Sequence, residues 1–172
     1  MSNIMQNINI EKVTLNIGVG NEPDKLEKAM ILLEKITNSK PKKTFTKKRI
    51  PTWNIRPGLA IGCKATMRGK KAELILKKLL YAVNNNLKAS QFDDKGNFSF
   101  GIKEYIDIPD VKYEVNLGII GLEVAVTLQR PGFRIKRRRV KQTNIPRKHQ
   151  ISKQQAIDFI KERFNINMEE NK

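Results

Sequence analysis

Cysteine, histidine and tryptophan each occur only once among these 172 residues, and two long stretches hold no acid at all. With Cys63 alone, an internal disulfide, a thiol-pair redox centre and a cysteine-based zinc cluster are all excluded. Its neighbours Ala60, Ile61 and Gly62 are small or apolar, so it reads as a small buried hydrophobe. His149 alone excludes paired-histidine metal sites and leaves any Ser/His or Cys/His mechanism to one residue in a basic tract. The most hydrophobic stretch, Leu117 to Leu128, is 12 residues long, contains Glu123, and is too short to span a bilayer. The first ten residues have neither the charged nor the apolar region of a secretory leader. A soluble protein of a reducing, intracellular compartment is the expectation, with no metal and no cofactor.

The missing acids matter more. Between Glu34 and Glu73 lie twelve basic residues and no acidic one: Lys35, Lys40, Lys42, Lys43, Lys47, Lys48, Arg49, Arg56, Lys64, Arg68, Lys70 and Lys71. Between Glu123 and Asp158 lie ten more: Arg130, Arg134, Lys136, Arg137, Arg138, Arg139, Lys141, Arg147, Lys148 and Lys153. These tracts hold 22 of the 34 Lys+Arg. The remainder has 12 against 17 Asp+Glu, so the net charge of +17 belongs to two surfaces on a slightly acidic protein. Solvated faces usually mix signs. Concentrated Lys and Arg instead neutralise phosphates, and losing 6–10 such contacts weakens binding by roughly three to five orders of magnitude between 50 and 200 mM salt. A membrane surface is the competing polyanion. Membrane binders present a basic helix with an apolar stripe, and Arg134-Ile135-Lys136-Arg137-Arg138-Arg139 has none. Nucleic acid is favoured.

The 39% hydrophobic content suffices for one core. Asn9 to Val19 alternates as a half-buried strand, and Asn21 to Asp24 starts a helix with Pro23 in its first turn. Thr44 to Arg68 reads as two strands around a Pro/Gly-bounded loop, and a second helix is expected from Lys70 to Leu87. Phe98 to Ile108 and Leu122 to Leu128 supply more strands. Ser152 and Gln155 form a capping box for a last helix, with fraying expected after Asn165. The order predicts a two-layer α+β fold with an antiparallel sheet packed against helices. Residues 1–130 are expected to form the nucleic-acid-binding core, and 131–172 a basic extension and a short terminal helix on the same domain.

No catalytic constellation stands out. Gly18-Val19-Gly20 ends a strand before a helix, but Pro23 replaces the third glycine of a dinucleotide loop, and Glu22 and Asp24 would repel a pyrophosphate. Lys95-Gly96-Asn97-Phe98-Ser99-Phe100 matches an RNA-recognition signature only in its first two positions, so both aromatics read as core. Asp107 and Asp110 flank a turn at Pro109. Trp53, between Arg49 and Arg56, either packs its loop or stacks on a nucleotide. Lys64, Thr66 and Arg68 alternate on one strand and should face the same way.

Three segments together closely resemble one family. They are Val13-Thr14-Leu15-Asn16-Ile17-Gly18-Val19-Gly20; Ile55-Arg56-Pro57-Gly58 with Ile61-Gly62-Cys63-Lys64-Ala65-Thr66-Met67-Arg68-Gly69; and Phe92-Asp93 with Gly96-Asn97-Phe98-Ser99-Phe100-Gly101-Ile102-Lys103-Glu104. In this order, over essentially the whole chain, they resemble large-subunit ribosomal protein five, the universal 5S-rRNA-binding family. Arg130 to Arg139 and the final helix resemble its archaeal and eukaryotic members, and the short N-terminus lacks the leading helix usual in bacterial ones. The resemblance implies a non-enzymatic part of the cytoplasmic ribosome that binds 5S rRNA and anchors it in the central protuberance. It implies further contacts with 23S rRNA, neighbouring ribosomal proteins and the small-subunit head.

The family's 5S-contacting polar positions map onto Asn16, Thr66 and Ser39, the last often glutamine elsewhere. Lys40, Lys42, Lys43, Lys64 and Arg68 would hold rRNA phosphates, as would Arg134, Lys136, Arg137, Arg138 and Arg139 in an extension expected to take its order from RNA. A loop implied to reach the P-site tRNA corresponds to Lys47 through Gly58, with Lys48, Arg49, Trp53, Asn54 and Arg56. The competing functions are a free-standing RNA chaperone or regulator of the same fold, which shares the charge pattern, and a nucleic-acid-modifying enzyme, for which neither cofactor loop nor acid/base pair is present.

Overall fold

The computed structural model describes residues 3–169. The first strand, β1 (Asn9–Gly18), turns into helix α1 (Pro23–Thr37). Strands β2 (Lys42–Phe45) and β3 (Ala60–Met67) follow, then helix α2 (Lys70–Ala82) and the short strand β4 (Asn86–Lys88). Strands β5 (Phe98–Ile102) and β6 (Leu122–Gln129), helix α3 (Lys153–Phe164) and strand β7 (Asn167–Glu169) complete the chain. Five strands make one sheet in the order β2-β3-β1-β6-β5, with every neighbouring pair antiparallel. The fold is α+β, as the sequence pattern implies.

Alternation decides which face is covered. Val13, Leu15 and Ile17 of β1 and Cys63, Ala65 and Met67 of β3 are buried against Leu26, Ala29, Leu32 and Leu33 of α1 and Leu76, Leu79 and Leu80 of α2. Phe98 and Phe100 are buried in the same core, as expected. In β1 strict alternation fails at Glu11, where a bulge between Ile10 and Lys12 lets Ile10 and Val13 both point inward. Gly62 lies where β1 and β3 crowd, because a Cβ there would stand 2.6 Å from the Ile17 carbonyl oxygen.

Three boundaries differ from expectation. Helix α2 ends at Ala82, five residues early, since Asn84 and Asn85 adopt positive φ and turn the chain into β4. Strand β5 stops at Ile102, because its partner begins at Leu122 and offers nothing beyond; Tyr105–Asp107 is a 3₁₀ turn instead. The segment after Asn165 does not simply fray. Ile166 is buried, and β7 pairs in parallel with β4 through Asn86↔Asn167 and Leu87↔Met168. The capping box of α3 forms as expected: the Ser152 hydroxyl accepts from the Gln155 amide, and Gln155 Oε1 accepts from the Ser152 amide.

Between β5 and β6 the chain is held down by the buried Tyr105, whose hydroxyl accepts from the Glu114 amide at 3.0 Å. Ion pairs from Lys35 to Glu114 and from Lys78 to Asp110 tie it to α1 and α2.

Candidate nucleic-acid interface

Helices cover one face of the sheet; the other face carries the polar half of each strand. Strand register arranges it in rows. One runs Lys42–Lys64–Asn16–Glu123–Gly101 across all five strands, with each residue directly opposite the next. At about 4.8 Å per strand, Lys42 and Glu123 are roughly 14 Å apart. The next row runs Thr66–Thr14–Ala125–Ser99. Lys64 and Thr66 are exposed while Ala65 and Met67 between and beyond them are buried, so the anticipated common direction is present. Arg68, just past β3, is exposed as well.

Lys42 and Lys64 are a directly opposed like-charge pair. Such pairs destabilise a sheet by up to about 1 kcal/mol relative to neutral neighbours. Folding gains nothing from that arrangement, whereas a polyanion laid across it turns the repulsion into attraction. Lys43 pairs with buried Cys63 and therefore belongs to the opposite face, apart from Lys42. Lys40 is exposed in the turn before β2. Ser39 is half-buried, and its hydroxyl donates to the Thr37 carbonyl at 3.2 Å, so it is engaged in ending α1.

The loop between β2 and β3 is closed in two stages. Thr46 and the Leu59–Gly58 backbone are bonded at its base, and Ile50 and Ile55 exchange N–H···O bonds of 2.9 and 3.1 Å further out. Ile55 is buried, which roots the loop. Beyond the Ile50–Ile55 bridge, Pro51–Trp53 make a 3₁₀ turn and Asn54 takes φ 53°, projecting Trp53 at 67% exposure. Trp53 therefore does not pack the loop. Arg49 and Arg56 flank the bridge and, with Asn21 and Asn54, line a polar cleft of about 520 Å³. Lys47 and Lys48 are exposed on the rising arm.

The second basic tract is less free than its charge count implies. Arg130 is 7% exposed and donates to the His149 and Gln150 carbonyls and, at 3.0 Å, to Gln155 Oε1, bolting the end of β6 to the cap of α3. His149 Nε2 lies 2.9 Å from the Pro131 carbonyl oxygen, so its role is structural. Phe133 is buried with His149 edge-on to it at 5.7 Å and Lys136 over its ring at 5.8 Å. Arg137 donates to Glu11 at 2.6 Å and to Gln129 at 3.1 Å, and Arg138 donates to the Lys141 carbonyl at 2.7 Å. The run expected to take its order from RNA thus makes bonds of its own to the core. Arg134 and Arg139 are exposed and make no side-chain bond among the described residues.

In the Gly18–Gly20 turn the Val19 and Gly20 amides both donate to the Ile61 carbonyl and so are not offered to a phosphate. Burial pushes the Cys63 thiol up to about 11, the direction opposite to an activated nucleophile. Among the described residues no group of three or more His, Cys, Asp or Glu could hold a metal, and no helix is long and apolar enough to cross a membrane.

An antiparallel sheet with one uncovered, cationic face, and an arginine-flanked loop beside it, belongs to the class of α+β proteins that bind polyanions. Residues 3–56 match the family described as Ribosomal protein L5, and residues 60–159 match the C-terminal part of the same ribosomal family. The large ribosomal subunit protein uL5 of Nanoarchaeum equitans is 52% identical over 167 residues, covering 96% of this chain and 98% of its own. That of Sulfurisphaera tokodaii is 48% identical over 169 residues, covering 98% and 96%. That of Methanobrevibacter smithii is 45% identical over 165, covering 96% and 97%. The chain belongs to the ribosomal protein L5 family, in its archaeal form, and is a structural, RNA-binding constituent of the large ribosomal subunit and not an enzyme.

Proposed function

We propose that the uncovered sheet face binds 5S rRNA and anchors it in the central protuberance. The opposed Lys42–Lys64 pair beside Asn16 and Thr66 carries this reading, since a bound polyanion turns their repulsion into attraction. Lys42, Lys64 and Arg68 engage phosphates and set the register. Asn16 and Thr66, short and neutral, meet sugar hydroxyls or base edges. Lys40 extends the phosphate track at the sheet edge, and Arg134 and Arg139 supply cations toward 23S rRNA; Ser39 contributes by closing the end of α1 just before Lys40, and Lys43, Lys136, Arg137 and Arg138 contribute long-range charge.

The loop from Lys47 to Gly58 reaches the P-site tRNA. Trp53 stacks on an exposed nucleotide or ribose, Asn54 holds the turn, and Lys48, Arg49 and Arg56 take the flanking phosphates. Neighbouring proteins of the central protuberance and the small-subunit head complete the partners.

The test is binding of the full chain to 5S rRNA and to an unrelated RNA of equal length, titrated from low to physiological salt. A persistent preference for 5S rRNA at 200 mM salt supports the reading; coincident curves overturn it and leave only polyelectrolyte attraction.

A further inference from the structure

One carboxylate stands in the two central rows of this cationic face. Glu123 is exposed, and its bonding among the described residues is a single hydrogen bond, accepted from Asn16 Nδ2 at 3.2 Å. No lysine or arginine of the described residues is within ion-pair distance of it. A carboxylate has about four acceptor positions, so most of its capacity faces outward. On a surface that meets phosphates, a bare acid is a liability unless the nucleic acid offers it N–H donors.

The ground beside it is open. Asn16, Gly18, Gly101, Lys103, Gly121 and Glu123 line a shallow groove of about 470 Å³ at the ends of β1, β5 and β6. Gly121 has an internal reason to be glycine, since a Cβ would meet the Lys103 carbonyl at 2.8 Å. Gly18 and Gly101 have none: neither has positive φ, and an added Cβ would meet nothing within 4 Å. Glycine inside a strand weakens it and often marks close approach by a ligand. Gly101 is directly opposite Glu123 in the register.

We propose that this groove seats one unpaired guanine base of the bound RNA, lying over Gly18 and Gly101 with its N1–H and N2–H groups donated to the Glu123 carboxylate. Guanine is the base that presents two adjacent N–H donors on its Watson–Crick edge, and two carboxylate oxygens accept them side by side. Asn16 holds the carboxylate's orientation, and Lys103 at the rim takes the adjoining phosphate. Glu123 then adds a base-specific contact to the polar contacts of Asn16 and Thr66 on the same face. The assignment rests on the 5S rRNA reading above.

The experiment combines Glu123→Gln and Gly101→Ala with 5S rRNA in which guanosines are replaced one population at a time by inosine, which lacks the N2 amine. Wild-type protein should show interference at one guanosine. Glu123→Gln should bind 5S rRNA about tenfold to a hundredfold more weakly, lose that interference, and bind unrelated RNA as well as before or better, having shed a negative charge. Gly101→Ala should fold as stably as wild type yet lose 5S affinity. Interference at no position, or interference surviving in Glu123→Gln, overturns the guanine seat while leaving 5S binding intact. So does Glu123→Gln that binds 5S rRNA more tightly, because the acid then merely repels phosphate, or Gly101→Ala that binds like wild type. Wild-type curves that coincide for 5S and unrelated RNA remove the underlying reading, and the seat with it.

Discussion

Gly62→Ala puts the geometry of the RNA face to a quantitative test. Gly62 pairs with Gly18 across β1 and β3, two residues from Asn16 and Lys64 on either strand. An alanine Cβ there would lie 2.6 Å from the Ile17 carbonyl oxygen and 3.1 Å from Thr44 Oγ1. The first contact is with backbone, so no side-chain rotation relieves it; β1 and β3 must separate by several tenths of an ångström. Overpacking of this kind costs about 1–3 kcal/mol. In a chain of this length each kcal/mol lowers Tm by roughly 2–4 °C, so a cost near 2 kcal/mol predicts a drop of about 4–8 °C in thermal unfolding followed by circular dichroism. Because the strain falls at the Asn16–Lys64 register, affinity for 5S rRNA should fall more than affinity for unrelated RNA. For stability alone, Gly101→Ala is the matched control: an ordinary φ and open space predict an unchanged or slightly raised Tm. A Gly62→Ala protein with wild-type Tm would refute the close-approach argument.

Cys63 should resist thiol reagents in the native protein at pH 8 and react fully after denaturation. Its thiol is raised from 9.0 to about 11 by burial, so the unfolded chain loses that proton first, and this group's contribution to stability falls as pH rises from 9.0 through about 11. Trp53 should emit as a water-exposed indole and be quenched or shifted on tRNA binding; Trp53→Ala should change stability by less than about 0.5 kcal/mol, and a larger loss would mean the indole packs. Glu11→Gln removes the charged partner of Arg137, and hydrogen exchange of residues 133–138 should accelerate about tenfold; unchanged protection would show that the Phe133 anchor suffices.

The alternating strands and the apolar stripes of α1 and α2 were legible because their periods are local. Strand β7 was not: Asn167–Glu169 is short and polar, and its partner β4 lies some eighty residues earlier. The end of α2 was hidden because Asn84 and Asn85 leave the helix through left-handed backbone, whereas the apolar pattern runs on to Leu87. At the candidate site, Lys64 and Thr66 could be placed on one face from alternation alone. That Lys42 joins them while Lys43 does not depends on register with β3, which no single strand encodes. The same holds for the Arg137–Glu11 bond across 126 positions, and for Glu123 beside Asn16 across 107. A charge count shows that a tract is basic, but only the assembled sheet shows which of its cations are already spoken for.

The central claim is that the uncovered sheet face distinguishes 5S rRNA from other RNA, with cations supplying strength and Asn16 and Thr66 supplying selectivity. The most direct measurement is the ratio of 5S to unrelated-RNA affinity at 200 mM salt for Thr66→Val beside Lys64→Ala. Thr66 is exposed, so valine removes a hydroxyl from the surface without disturbing the core. The account predicts that Thr66→Val lowers the ratio about fivefold or more, the worth of one hydrogen bond, while Lys64→Ala weakens both affinities and flattens the salt dependence of each. A Thr66→Val ratio equal to wild type's, with 5S preference intact, would contradict it and remove Thr66 from recognition.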